Sequence, residues 1–154
     1  MNIIGAITPT TKMNMDEVEK FLENKLNLQL ATIDEKGDPN IQPIWFDYDK
    51  ERQKLLVVTP RNSKKIQNLK KRNVIYFSID DETFPYKGIK GKGNVEVIGD
   101  SNKTMPLIKK IVIKYLNTLE HPIATMILES AKEGNHVLVE ISPRFFSTWD
   151  FNKL

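Results

Sequence analysis

The sequence contains no cysteine among its 154 residues. Disulfide bonds, thiolate metal sites and redox thiols are therefore excluded. Only two histidines are present, His121 and His136, and no HExxH or similar ligand spacing occurs, so we predict no metal site. The chain also lacks a GxSxG motif and a Walker loop, and its carboxylates are scattered. If the protein is an enzyme, we expect a bound cofactor to supply the chemistry.

Long apolar runs are absent as well. No stretch of about 18 apolar residues occurs, so no transmembrane helix is predicted, and the N-terminal segment lacks the basic start of a signal peptide. We therefore expect a cytoplasmic protein without a membrane partner. The length fits one domain, residues 1–154, with residues 1–13 as a loose N-terminal arm. The formal net charge of +3 permits an anionic ligand without demanding nucleic acid.

Polar turns divide most of the chain into short strands. Apolar alternation predicts strands over 28–33, 40–48, 54–59, 74–79, 87–98, 137–141 and 145–151. Helical spacing predicts helices over 15–25, 63–69, 102–118 and 123–131. Because strands outnumber helices and short turns join them, the pattern favours an antiparallel barrel with helices outside over a βαβ sheet.

The segment Val57–Leu69 (VVTPRNSKKIQNL) runs from a strand through a turn into a helix. The first turn of a helix presents unpaired amide donors and the positive end of the helix dipole, which suits an anion. Hydroxyl and ammonium groups at this place come from Thr59, Ser63, Lys64 and Lys65. A phosphate monoester would meet all of these donors together. The alternative is a solvated basic helix end, because residues 61–72 contain several lysines and arginines and no acidic residue.

The second predicted strand contains Pro43, which has no amide hydrogen and therefore belongs at a sheet edge. Alternation places Gln42 and Ile44 on one face and Pro43 and Trp45 on the other. A flat ring can lie against such an edge, with Gln42 and backbone groups as hydrogen-bond partners. Core or dimer packing is the alternative for Trp45 and its aromatic neighbour.

The fifth predicted strand carries Gly88, Gly91 and Gly93. These glycines do not form a GxGxxG fingerprint between a strand and a helix, so a Rossmann site is rejected. Glycines within a strand indicate a barrel corner or a close backbone approach. The lysines between them can add positive charge to a nearby cleft.

Three runs together resemble a known family: LQLATIDEKGDPNIQPIWFDYD, LLVVTPRNSKKIQNLKKRNVIYFSID and PYKGIKGKGNVEV. They resemble the FMN-binding split-barrel family related to pyridoxamine 5'-phosphate oxidase over about residues 28–98. A weaker resemblance extends to ISPRFFSTWDF near the end of the chain. The resemblance implies a mainly β (α+β) fold, a six-stranded antiparallel split β-barrel with peripheral helices. It also implies a homodimer with the cofactor at its interface, and an oxidoreductase that passes hydride between FMN and a small organic substrate.

The same resemblance implies cofactor-binding residues, and no catalytic residue. The flavin ring would lie along Gln42, Pro43, Ile44 and Trp45. The phosphate would be bound by Val58, Thr59, Pro60, Ser63, Lys64 and Lys65. Lys65 is carried over most firmly, because the KxxNL pattern of Lys65, Asn68 and Leu69 anchors the alignment. Tyr86 and Trp149 are expected to reach the cofactor of the partner subunit.

Departures from the family pattern leave alternatives open. The chain ends in STWDFNKL, without the Arg- and His-bearing substrate segment of pyridoxamine phosphate oxidases proper, so vitamin synthesis is not expected. The stretch PIWFDYD is closer to the branch that uses the 8-hydroxy-5-deazaflavin coenzyme, whose long acidic tail a lysine-rich groove would suit. A second function is a non-catalytic flavin or haem carrier, with His121 or His136 as the haem ligand. A nucleic-acid-binding barrel is less favoured, because the aromatics lie mostly in apolar runs.

Overall fold

The computed structural model describes residues 1–154. Its strands are β1 (Asn2–Gly5), β2 (Leu28–Ile33), β3 (Pro39–Ile44), β4 (Phe46–Asp49), β5 (Lys54–Pro60), β6 (Val74–Asp81), β7 (Lys87–Ile98) and β8 (His136–Asp150). Its helices are α1 (Met15–Leu22), α2 (Lys64–Lys71), α3 (Ser101–Leu116) and α4 (Pro122–Lys132), and a 3-10 helix covers Phe151–Lys153. No helix has the length and apolar character needed to cross a bilayer.

Seven of the strands pair in the order β3-β2-β6-β7-β8-β5-β4, and every pair in this series is antiparallel. The two strands at the ends of this order, β3 and β4, are separated in the chain only by Trp45. The sheet must therefore curl until its ends meet, which gives a barrel. This confirms the predicted antiparallel split barrel.

The interior of the barrel is a core of 21 buried residues, most of them from the strands, with Val18, Phe21 and Leu22 contributed by α1. On β5, for example, Leu55 and Val57 are two positions apart, so both side chains face this core. Helix α2 packs on the same core through Ile66 and Leu69. Helices α3 and α4 form a second, smaller cluster with each other, and Val58 packs against it from the outward face of β5. The helices are thus peripheral, as predicted.

The sheet holds eight strands, whereas the resemblance implies six and the apolar alternation predicts seven. The predicted strand 40–48 divides at Trp45 into β3 and β4. The predicted strands 137–141 and 145–151 are instead one continuous strand, β8. The register against β7 shifts where Lys92 pairs with Phe145 and Gly93 with Pro143, so Arg144 is an extra residue and β8 continues past the proline as a β-bulge.

The prediction of a loose N-terminal arm over residues 1–13 is wrong in part, because β1 lies within these residues and pairs in parallel with β8. Thr11 and Met13 are buried, and the Met13 amide donates to Thr148 Oγ1 at 3.0 Å. The arm is therefore attached to the barrel by contacts with the far end of the chain. A strand of four residues with a distant partner leaves no periodic signal in the sequence.

The glycines of β7 mark close approaches between neighbouring groups. A Cβ on Gly88 would lie 2.2 Å from Cζ2 of Trp149, and one on Gly91 would lie 2.5 Å from the carbonyl oxygen of Phe145. A Cβ on Gly93 would lie 2.9 Å from the carbonyl oxygen of Ser142, beside the bulge. The close approach predicted for this strand is therefore present at each of these glycines.

Candidate functional site

The N-terminus of α2 differs from those of the other helices. In α1, α3 and α4 the side chain of the N-cap residue accepts a hydrogen bond from the first turn. Ser63, the N-cap of α2, makes no such bond, and the first turn of α2 contains no acidic residue. The first amides of this helix therefore keep their donor capacity, and nothing in the turn offsets the positive end of the dipole.

Lys65 is the second residue of this uncapped turn, and its ammonium group makes a single hydrogen bond. Its Nζ donates to Thr59 Oγ1 at 2.9 Å, and Thr59 Oγ1 is 3.3 Å from Ser63 Oγ. Thr59 is buried, and Lys65 is half-buried without a carboxylate partner. Burial lowers the pKa of the Lys65 amine. An ammonium group that has lost water and gained no counter-ion is stabilised by a bound anion.

The position of Lys65 is fixed by the buried side of the same helix. Asn68 is buried, and its Nδ2 donates to Thr32 Oγ1 on β2 at 3.0 Å. Leu69 is part of the barrel core. The KxxNL pattern thus has a structural basis, because Asn68 and Leu69 hold the helix against the barrel while Lys65 contacts Thr59.

Asn40 is a polar neighbour of this cluster that sequence reasoning missed. It pairs with Thr32 in the β2–β3 register, and its Oδ1 is buried without a hydrogen-bond partner. No motif in the sequence distinguishes Asn40 from other asparagines. Its isolation as an acceptor depends on the packing of β3 next to Thr32.

The structure does not bring the other cations of the segment to Thr59. Lys64 Nζ forms an ion pair with Glu35 Oε2 at 2.9 Å, in the turn between β2 and β3. Arg61 Nε donates to the carbonyl oxygen of Gly134 at 2.7 Å. Three later cations are exposed to solvent, namely Lys70, Lys71 and Arg72. Pro60 lies exposed at the end of β5.

The residues predicted to carry the flavin ring divide into two groups. Gln42, Pro43 and Ile44 lie on β3, which is a terminal strand of the sheet order, and Pro43 is exposed there. The edge position predicted from the missing amide is therefore correct. Trp45 follows β3, and its ring stacks on Tyr115 of α3 with centroids 4.8 Å apart and an interplanar angle of 5°.

Trp45 and Val58 share a packing role outside the barrel. Their side chains line an apolar cavity of about 50 Å³ together with residues of α3 and α4 and with His136. This is the packing alternative that the sequence left open for Trp45. Within one protomer, therefore, the side chains of Trp45 and Val58 do not join the cluster around Lys65.

Tyr86 and Trp149 lie together, far from Lys65. Trp149 lies over Gly88, and the exposed ring of Tyr86 meets the rings of Phe84 and Phe151 edge-on. Thr59 pairs with Val137 and Gly88 with Trp149, so twelve residues of β8 separate the two places. Along an extended strand this separation is about 40 Å.

Both histidines make local hydrogen bonds. His121 Nδ1 accepts from the amide of Ile123 at 3.1 Å as the N-cap of α4. His136 Nδ1 lies 2.8 Å from Ser130 Oγ, and burial lowers the pKa of its imidazole. The cavity beside His136 is far smaller than a haem. No group of three or more His, Asp or Glu side chains is placed to hold a metal ion.

Comparison with known proteins identifies the family. The model of the family described as pyridoxamine 5'-phosphate oxidase matches residues 15–150. The chain belongs to this family. No curated protein matches the chain by sequence.

Solved structures with this fold have different described roles. The conserved hypothetical protein Rv2991 from Mycobacterium tuberculosis is 20% identical with a TM-score of 0.80, over 95% of this chain and 90% of that one. An F420 reductase is 26% identical with a TM-score of 0.68, over 84% of this chain and 94% of that one. HutZ, the haem storage protein from Vibrio cholerae, is 18% identical with a TM-score of 0.66, over 84% of this chain and 89% of that one.

The region that matches the pyridoxamine 5'-phosphate oxidase family contains both groups of predicted cofactor residues. The matched region begins at α1 and ends with β8, so it includes Lys65 on α2 and Trp149 on β8. Because structures of this fold include both a reductase and a haem storage protein, the fold alone does not select a cofactor.

Proposed function

We propose that this protein is an oxidoreductase that binds a phosphate-bearing flavin-type cofactor, FMN in the first instance, and passes hydride to or from a small organic substrate. The observation that carries the proposal is the half-buried, unpaired ammonium of Lys65 at the uncapped N-terminus of α2. Membership of the pyridoxamine 5'-phosphate oxidase family supports a flavin-type ring as the group attached to the phosphate.

Each group of the cluster has a defined task in this proposal. Lys65 donates its remaining N–H groups to phosphate oxygens, and Ser63 adds its hydroxyl. The first amides of α2 complete the set of donors. Thr59 is buried, and its Oγ1 accepts from Lys65 Nζ, so Thr59 orients the ammonium group toward the phosphate. The bound cofactor supplies the hydride chemistry, and the protein supplies orientation and exclusion of water.

The proposal includes a homodimer, and the distance between the two predicted groups of residues supports it. A single protomer keeps Tyr86 and Trp149 about 40 Å along β8 from the phosphate cluster. A second copy can place its own Tyr86 and Trp149 against the ring. Ile41 on the outward face of β3 is 64% exposed, as expected for a face that a partner covers.

A groove on the outer surface of β2 and β6 supports the 8-hydroxy-5-deazaflavin coenzyme as the alternative cofactor. It has a volume of about 500 Å³, and two of its lining residues, Arg72 and Lys92, are cationic. Tyr76, also in the groove, has Lys92 Nζ 5.6 Å from its ring centroid. Such a groove suits an acidic tail, and the similarity to an F420 reductase supports the same alternative.

The absorbance spectrum and the mass of the bound ligand test the proposal. We expect the purified protein, alone or after addition of FMN, to hold a yellow chromophore with the mass of FMN or of the deazaflavin coenzyme. A Soret band without flavin would favour the haem carrier instead. Protein that binds neither flavin nor deazaflavin would contradict the proposal. The single-domain organisation of residues 1–154 and the cytoplasmic location stay predictions.

Sedimentation equilibrium tests the dimer separately. We expect a mass near twice the 17.8 kDa of the chain. A monomer that binds FMN with full affinity would show that Tyr86 and Trp149 have no part in the site.

A further inference from the structure

Lys64 and Lys65 are consecutive in the first turn of α2, but their ammonium groups have different partners. Lys65 contacts the hydroxyl of Thr59, whereas Lys64 is paired with Glu35, 29 positions earlier in the chain. The carboxylate of Glu35 offsets the charge of Lys64. Of the two lysines, only Lys65 therefore offers an uncompensated charge to an anion.

The turn that carries Glu35 is held by its own hydrogen bonds. Asp34 Oδ1 accepts from the amide of Lys36 at 2.8 Å and from the amide of Asp38 at 2.9 Å. Gly37 has a φ of 92°, which a glycine adopts without strain. Glu35 is thus presented to α2 by a structured turn, and its hydrogen bond with Lys64 lowers the pKa of its carboxyl group.

We propose that Glu35 is a built-in competitor of the cofactor phosphate: it keeps Lys64 paired on the β2–β3 turn and so lowers the affinity of the site for a phosphate monoester. The inference rests on the proposed function, because it assumes that the phosphate binds beside Lys65. Lys64 is adjacent to Lys65 on a helix whose first amides face the same anion. Released from Glu35, its flexible side chain can add a second ammonium group to the site.

The test compares FMN with riboflavin, which has the same ring without the phosphate. Glu35→Gln keeps the size of the side chain and removes its charge. We expect it to bind FMN about threefold tighter than the wild type, an effect of the size that an exposed ion pair supports, and to bind riboflavin unchanged. The gain should shrink at high salt, where exposed charges are screened.

Two controls separate this effect from net charge. Glu51→Gln removes an exposed acid of the β4–β5 turn that makes no ion pair, so it should leave FMN affinity unchanged. The double variant Glu35→Gln/Lys64→Ala should lose the gain, because the freed ammonium is absent. Circular dichroism of each variant verifies that the barrel is folded.

Several outcomes overturn the inference. These are an unchanged or weaker FMN affinity in Glu35→Gln, an equal gain for riboflavin, an equal gain in Glu51→Gln, and a gain that survives Lys64→Ala. Wild-type protein that binds no FMN overturns the proposed function and this inference with it. Wild-type binding that depends on Lys65 but is the same in Glu35→Gln overturns this inference alone.

Discussion

Lys65 on α2 and Lys114 on α3 both carry ammonium groups that are half-buried and lack a carboxylate partner, yet their surroundings differ. Lys114 Nζ donates to the carbonyl oxygens of Leu22 at 3.0 Å and Phe46 at 3.1 Å, and it lies 4.0 Å from the ring centroid of Phe46. Lys65 Nζ has one partner, the hydroxyl of Thr59. Burial lowers the pKa of both amines, that of Lys114 to about 8.

The difference separates a structural lysine from a binding one. Lys114 uses two of its donors to connect α3 with the end of α1 and with β4, so the protein itself accepts these hydrogen bonds. Lys65 keeps unused donors beside the uncapped turn of α2. Burial alone therefore does not identify the functional lysine, whereas the count of satisfied donors does.

The largest expected effect is the loss of FMN binding in Lys65→Ala. A charge-assisted contact with phosphate contributes about 1.5–3 kcal/mol, so the dissociation constant should rise by about tenfold to a hundredfold. Thermal stability should be nearly unchanged, because the fold does not depend on this ammonium. Flavin fluorescence titration measures the affinity. Lys70→Ala, in the last turn of the same helix, is the control and should bind FMN like the wild type.

The opposite result is expected for Lys114→Met. The methionine keeps the apolar contact with Phe46 but leaves two carbonyl groups without their donor, which should lower the free energy of unfolding by about 2 kcal/mol. Urea denaturation measures this change, and Lys109→Met, at an exposed neighbouring position, controls for the loss of charge. A variant that keeps its stability and loses FMN binding would reverse the roles assigned to the two lysines.

A smaller loss is expected for Tyr115→Phe. The Tyr115 hydroxyl donates to the carbonyl oxygen of Leu26 at 2.6 Å and accepts from the amide of Phe46 at 3.2 Å. Its removal should lower the free energy of unfolding by about 1.5 kcal/mol, while the stacking on Trp45 is retained. Unchanged tryptophan fluorescence would show that the stack persists, and an unchanged stability would contradict the role of the hydroxyl.

The smallest effect is a pH dependence of stability that comes from Lys114. The folded protein releases the Lys114 proton near pH 8, whereas an unperturbed lysine holds its proton to about 10.5, so unfolding takes up a proton between these values. The stability of the wild type relative to Lys114→Met should therefore rise with pH, by about 1 kcal/mol between pH 7 and pH 9. The rise ends near pH 10.5, where the lysine of the unfolded chain also releases its proton. Burial raises the pKa of Tyr48 and Tyr115 to about 12, but both proteins contain these tyrosines, so their effect cancels from the difference. A flat difference over this range would contradict the burial of Lys114.

Local patterns in the sequence predicted the barrel and its helices. The apolar alternation of β5 and β6 and the glycines of β7 are each readable within a few residues. The short strand β1 was not predictable, because its partner is at the other end of the chain. The continuity of β8 was missed because Pro143 reads as a strand end, and only the bulge at Arg144 carries the strand past it.

The candidate site was predictable in composition but not in detail. Lys65 and Thr59 lie within one short segment of the sequence, and the structure brings them into contact, while their binding of a phosphate stays a prediction. The difference between Lys64 and Lys65 depends on Glu35, which reaches α2 only through the tertiary fold. In the same way, the packing role of Trp45 depends on Tyr115 of α3, which is 70 positions away in the sequence and stacks on its ring. Which of two neighbouring residues is free to bind a ligand therefore depends on contacts with residues that are far away in the sequence.

The most direct test is the ratio of the dissociation constants for riboflavin and FMN, measured on the wild type and on Lys65→Ala. If Ser63, Lys65 and the first amides of α2 bind the phosphate, the wild type should bind FMN at least about tenfold more tightly than riboflavin. In Lys65→Ala the ratio should fall towards one. Equal affinity of the wild type for the two flavins, or a ratio that Lys65→Ala leaves unchanged, would contradict the assignment of the phosphate to this cluster.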